Sequence, residues 1–124
     1  MARTRLVALV KSKEEIMATA RVPQPITDDP VRVDPKHYKI EFENERVRVV
    51  RIKYGPGEKS VMHSHPESIG VFLTGAHAKF TYPDGRTEDI SADAGMVQHM
   101  DAFTHAPENL SDAPFEVIQV ELKG

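Results

Sequence analysis

The chain has 124 residues, a formal net charge of −3 and no cysteine. That is one domain's length, enough to bury a sizeable core without staples. The acidic balance argues against a general nucleic-acid binder, whose footprint is a basic excess or stripe. The lack of cysteine excludes disulfides, zinc–cysteine sites, iron–sulfur clusters and thiolate catalysis.

Residues 5–20, RLVALVKSKEEIMATA, suit a helix, with Leu6, Leu9, Val10, Met17 and Ala20 roughly on one face and Pro23 and Pro25 closing it. The apolar run within it is too short for a signal peptide, and Lys11, Lys13, Glu14 and Glu15 follow at once. No run approaches the ~20 apolar residues of a membrane span. The expectation is a cytoplasmic protein with neither nucleic acid nor membrane as partner. Residues 22–37, VPQPITDDPVRVDPKH, hold four prolines and read as an extended arm. The division expected is therefore an N-terminal helix and Pro-rich arm over 1–37 and a β-domain over 38–124. The apolar stripe of the helix suits an arm that packs on a second copy, and so a homodimer.

From Tyr38 onward the chain is strand-like. YKIEFENERVRVVRIKY ends at a Gly-Pro-Gly turn, and SVMHSH, IGVFLT, HAKFTY, TEDIS, GMVQHM, THAPEN and FEVIQVELK follow, separated by turn signals. YPDGR between two such runs marks a hairpin. Many short strands at even spacing mean an all-β sandwich or barrel.

His63 and His65 carry the chemistry. Side chains at i and i+2 on a strand share a face, ~6.6 Å apart, so both imidazoles can aim at one metal ion inside a barrel. His105, in THAPEN, is the best candidate for a third ligand. His99 shares parity with Val97 and could face the same interior. It is either a half-buried histidine satisfied by a neighbour or a substrate contact and acid–base group. Alternation in GAHAKFTY buries Ala76, Ala78, Phe80 and Tyr82 and turns His77 outward. His37 reads as surface and Asn109 as a turn residue. Met62, Met96 and Met100 take the parity opposite to the histidines and read as packing on an outer face. Arg48 and Arg51 read as surface charge, one of them able to turn inward and hold a carboxylate.

His-x-His alone is a common surface feature, but the wider spacing is specific. Gly57, five residues, His63-Ser64-His65 and then Gly75 make one block. Gly95, five residues, Asp101-Ala102-Phe103, Thr104, His105, three residues and Asn109 make a second. These blocks resemble the two motifs of the cupin family, over roughly residues 38–123. The resemblance implies a double-stranded β-helix (jelly-roll barrel) with His63, His65 and His105 on a divalent transition metal: iron, zinc, manganese or nickel. The family's motif also carries a glutamate ligand. Six residues before Gly75 stands Ser68, and Glu67 lies one position earlier. Glu67 reaches the metal only if residues 66–68 bulge, since a one-residue slip turns a side chain to the other face. Otherwise the site is three histidines with open positions, a set found in metal cupins that activate dioxygen. Asp101 and Phe103 stand where the second motif has Pro and Gly. The function implied is a metal-dependent cupin binding a small organic molecule, carboxylate or oxygenated, as an oxygenase, isomerase or lyase. The alternative is a non-catalytic metal- or metabolite-binding module.

Overall fold

The computed structural model describes residues 28–124, so the helix expected over 5–20 lies outside the described residues. Nine strands are found among them: β1 (Tyr38–Glu43), β2 (Val47–Tyr54), β3 (His63–His65), β4 (Ser68–Phe72), β5 (Ala76–Thr81), β6 (Thr87–Ala92), β7 (Val97–Met100), β8 (Phe103–Asn109) and β9 (Phe115–Leu122). All pair antiparallel, in a five-stranded sheet of order β1-β2-β9-β4-β7 and a four-stranded sheet of order β3-β8-β5-β6. The all-β expectation holds.

Alternation explains which residues fill the space between the sheets. Along β9, Phe115, Val117, Gln119 and Glu121 are buried while the residues between them are half-buried. Along β2, Val50, Ile52 and Tyr54 point the same way. With Tyr38 and Ala78 these apolar residues form the core, each large side chain contributing about 1.5–3 kcal/mol relative to exposure. The inward row of β9 thus runs from apolar Phe115 to polar Gln119 and Glu121.

The YPDGR hairpin joins β5 and β6. Gly85 has φ 88° there and donates its N–H to the Tyr82 carbonyl at 2.9 Å. A side chain at that φ would be strained, which is why glycine stands there.

The end of the segment read as extended contains one helical turn, α1 (Pro30–Val33). Asp29 caps it, accepting from the Val31 N–H at 3.0 Å, and Pro30 occupies the first turn, where no N–H is needed. His37 is not on the surface, as its setting among prolines suggested. It is only 5% exposed. Its ring lies flat on Tyr54, with centroids 4.2 Å apart, and its two nitrogens meet Asp34 at 2.7 Å and Glu58 at 2.9 Å. A partner for each nitrogen removes the cost of burying the imidazole.

Candidate metal centre and ligand chamber

β3 and β8 pair so that His63 lies directly opposite His105 and His65 opposite Phe103. His63 and His65 share the inner face of β3, and His105 faces inward from β8. The three rings form a nearly equilateral triangle, with centroids 4.8, 4.9 and 5.0 Å apart. One nitrogen of each lies within 4.8 Å of the other two.

The hydrogen bonds decide which nitrogens face the centre. His63 Nδ1 meets the Val61 carbonyl at 2.9 Å and can only donate to it, which leaves the lone pair on Nε2. That Nε2 is buried and has no partner. His65 Nε2 and His105 Nε2 approach to 3.1 Å. Two imidazoles bound to one ion at ~2.05 Å place their nitrogens about 2.9 Å apart at a right angle and about 3.4 Å apart at the tetrahedral angle. The observed separation falls between these, so the residues fit a transition-metal ion.

Burial keeps the ligands neutral. It is the main cause of the lowered pKa at all three, and the neighbouring imidazoles add to it at His65 and His105. His65 is held at about 3 and His105 at about 2. Neutral imidazole is the form that binds metal.

The structure does not bring Glu67 or His99 to this centre. Ser68 is fully buried at the start of β4, so Glu67 beside it takes the opposite face. There its carboxylate meets His99 Nε2 at 2.7 Å, with both side chains about half exposed. The glutamate expectation is therefore corrected: no bulge turns Glu67 inward. His99 does share parity with Val97, but that parity points out, and Val97 is 63% exposed. Met100, expected on an outer face, points inward instead. Where the motif has glutamate, Ser68 Oγ accepts from Gln119 Nε2 at 2.7 Å, a neutral buried pair.

A chamber of about 60 Å³ opens beside His65 and His105. Tyr38, Phe80, Phe103, Phe115 and Met100 supply much of its wall, and Gln119 is its one amide. His63 lies behind it, with its ring edge-on to Tyr38 at 4.8 Å. The Tyr38 and Tyr54 hydroxyls bond to each other at 2.6 Å, and burial raises the pKa of both. Neither arginine lines the chamber. Arg48 is held by Asp29 at 2.8 and 2.9 Å and by Glu121 at 2.7 Å. Arg51 is held by Glu41 and Glu116.

Gln119, Met100 and Phe103 were not singled out from sequence as chamber residues. The alternation of FEVIQVELK could have found Gln119, which shares parity with Phe115 and Val117. Asn109, read as a turn residue, is fully buried at the end of β8. It donates to the Gly55 and Ala113 carbonyls at 3.1 and 2.9 Å and accepts from the Ser111 N–H at 3.0 Å, so it clamps the turn from inside.

No family model and no curated protein sequence matches the chain. Solved structures do. A cupin domain from Bordetella pertussis Tohama I superposes with a TM-score of 0.65 at 24% identity, over 70% of this chain and 92% of that one. A conserved protein with a double-stranded β-helix domain from Klebsiella pneumoniae gives 0.57 at 20% identity, over 92% of each chain. A cupin superfamily protein from Desulfitobacterium hafniense gives 0.52 at 19% identity, over 70% of this chain and 76% of that one. The fold is the cupin double-stranded β-helix. At position 68 this chain carries serine, and among the described residues the buried candidate ligand set is three histidines without an acid.

Proposed function

We propose that this cupin binds a divalent transition-metal ion through His63, His65 and His105 and holds a small organic molecule in the adjoining chamber. The observation that carries the reading is the triangle of three buried, neutral imidazoles with an unpartnered Nε2 on His63. With three protein ligands an ion keeps open positions, where it supplies Lewis-acid or redox chemistry. The chain's own residues supply the rest. The Val61 carbonyl fixes the His63 tautomer, the aromatic wall excludes water, and Gln119 offers a hydrogen bond.

The second reading, a non-catalytic metal- or metabolite-binding module, has a specific observation in its favour. Apart from the histidines, the titratable groups lining the chamber are Tyr38 and Tyr54, both kept protonated by burial. His99 and Glu67, the expected acid–base groups, stand outside. An isomerase or lyase that shuttles protons through side chains has little support here. An oxygenase-type reaction centred on the metal requires no such group.

The test is metal content by elemental analysis of protein purified without a nickel column or chelator, beside the His63→Ala/His65→Ala variant. Near-stoichiometric metal in the parent and loss in a variant that still folds is the expected result. Iron would point to oxygenation, zinc or manganese to lyase or isomerase work. No metal in either protein and no uptake on reconstitution would overturn the metal reading.

The proposal extends to a homodimer formed through residues 1–27, supported by the apolar positions Leu6, Leu9, Val10 and Met17 in that segment. Among the described residues no helix is long and apolar enough to cross a membrane. The cysteine-free composition suits a reducing compartment such as the cytoplasm.

A further inference from the structure

The chamber continues into a larger space. A vestibule of about 340 Å³ shares Phe72, Phe80, Ile90, Met100 and Phe103 with it. These five residues, from five different strands, form an apolar collar between the two compartments. Beyond the collar the chemistry changes. The vestibule adds Tyr82, Glu88, Gln98 and Asp101, so it is lined by two carboxylates and no cation. Two basic side chains stand near it without lining it: Arg86 lies over the Tyr82 ring at 4.8 Å, and His99, paired with Glu67 at 2.7 Å, has a nitrogen within 4.8 Å of an Asp101 oxygen. The inner end is equally uneven. His65 and His105 are each only 4% exposed, line the chamber, and bury an Nδ1 that has no hydrogen-bond partner.

We propose that chamber and vestibule together take a three-part small molecule. It has one oxygen or nitrogen donor at the histidine end, a flat apolar body within the aromatic collar, and a cationic or hydrogen-bond-donating far end at Glu88 and Asp101. The donor end rests on the three-histidine reading; the body and the far end rest on the cavity lining alone.

Three physical points converge. A collar of three phenylalanines, an isoleucine and a methionine removes water from whatever crosses it. It therefore favours an aromatic or alkyl segment and disfavours a charged one. Arg48, the arginine nearest the histidines, is fully engaged by Asp29 and Glu121. A carboxylate on the body of the ligand finds no guanidinium. At the mouth, Glu88 and Asp101 repel an anionic tail and attract an ammonium group, with the strength of solvent-exposed charges. The selection is thus against dicarboxylates and for aryl or alkyl amines and their neutral analogues.

A matched probe series tests this: 4-(2-aminoethyl)phenol, 4-ethylphenol and 3-(4-hydroxyphenyl)propanoate. All carry the same phenol head and differ at the far end. Binding to the full chain is measured by calorimetry at low salt, with metal content determined on the same sample. The amine should bind tightest and the acid roughly tenfold or more weaker. The Glu88→Gln/Asp101→Asn variant, altered only at exposed residues, should bring the three affinities together, as should 0.5 M salt. Equal affinities in the parent, tightest binding of the acid, or no binding of any probe to metal-loaded protein would overturn the proposal. If the same order appears on protein shown to hold no metal and survives His105→Ala, the charge selection stands and the metal reading falls.

Discussion

Arg48→Met should expose how the barrel tolerates a buried carboxylate. Glu121 is 4% exposed on the inner face of β9, and burial raises its pKa despite the guanidinium beside it. Arg48 donates to it from Nε at 2.7 Å and to Asp29 from both terminal nitrogens. Removing one partner of a buried pair leaves an uncompensated charge, at a cost of roughly 3–5 kcal/mol. At about 4–8 °C of Tm per kcal/mol for a domain of this size, Tm should fall by at least about 12 °C at pH 7. The deficit must depend on pH with a definite sign. Without Arg48, the folded-state pKa of Glu121 rises further above its unfolded value of about 4.3. The stability it allows is present below that value and is lost as pH rises through the folded pKa. A deficit of 3–5 kcal/mol corresponds to about 2–4 pH units at about 1.4 kcal/mol each. It should therefore shrink to about 1 kcal/mol at pH 5. Urea unfolding followed by circular dichroism, with parent and variant compared at each pH, isolates this effect, because histidine contributions cancel in the difference. Arg48→Met/Glu121→Leu should recover the part of the loss due to Glu121, since that buried charge leaves with its partner, and keep the part due to Asp29, which still lacks its guanidinium. A deficit below about 1 kcal/mol at pH 7, or one unchanged between pH 5 and 7, would refute the reasoning.

Other outcomes follow from the same structure. Metal retention should persist well below pH 6.5, because burial holds His65 at about 3 and His105 at about 2; an affinity that falls with a midpoint near 6.5, read by competition with a chromophoric chelator, would mean the ligands are water-exposed. The metal-free fold should lose stability as pH drops from 6.5, since the unfolded chain takes up protons that the buried rings refuse. At pH 5 this amounts to about 2 kcal/mol for each of His65 and His105, measurable by urea titration of chelator-treated protein. Asn109→Ala should cost about 1–3 kcal/mol by removing its buried donations to the Gly55 and Ala113 carbonyls and leaving the Ser111 N–H without its acceptor, and hydrogen exchange should rise at Ser111 and Ala113. A chain starting at residue 28 should keep the barrel, because Asp29 and buried Pro30 are retained, but lose the dimer; unchanged mass by light scattering would rule out an interface built by the N-terminal segment.

The legible part of the site was the part written in strand alternation and fixed spacing. His63 and His65 share a face wherever their strand begins, and the second motif then marks His105. Glu67 stands where plain alternation from buried Ser68 puts it, the bulge that would have turned it inward being absent, whereas His99 failed for another reason. Alternation says which residues share a face but not which face is inside, and on β7 an apolar residue, Val97, stands on the outer one. Parity reasoning that followed Val97 inward took His99 with it and sent Met100 out. The buried His37 was hidden for a different reason: its partners Asp34 and Glu58 lie on either side of it in sequence, and only the fold closes them around the ring. Arg48 was unreadable because its two carboxylates, Asp29 and Glu121, stand 19 and 73 residues away.

Two of the three candidate ligands sit on β3, a three-residue strand at the edge of its sheet, paired only with β8. A strand so short frays unless something else holds it. Here residues 28–34 act as a strap along its free side. The Ser64 N–H donates to the Asp28 carbonyl at 3.1 Å, and Ser64 Oγ meets Thr104 Oγ1 at 2.7 Å across the β8 side. Just before the strand, Ser60 donates to Asp34 at 2.5 Å. The strap is itself tied to the barrel by Arg48 through Asp29. Neither Asp28 nor Asp29 touches the centre, yet together they hold β3 so that both imidazoles keep one orientation. The polar end of the barrel, from Arg48 and Glu121 through Asp29 to Ser64, therefore serves to place the histidines. The apolar end, from Phe115 through the phenylalanine collar, walls the chamber proposed to receive a ligand. The two functions divide along the single inward row of β9.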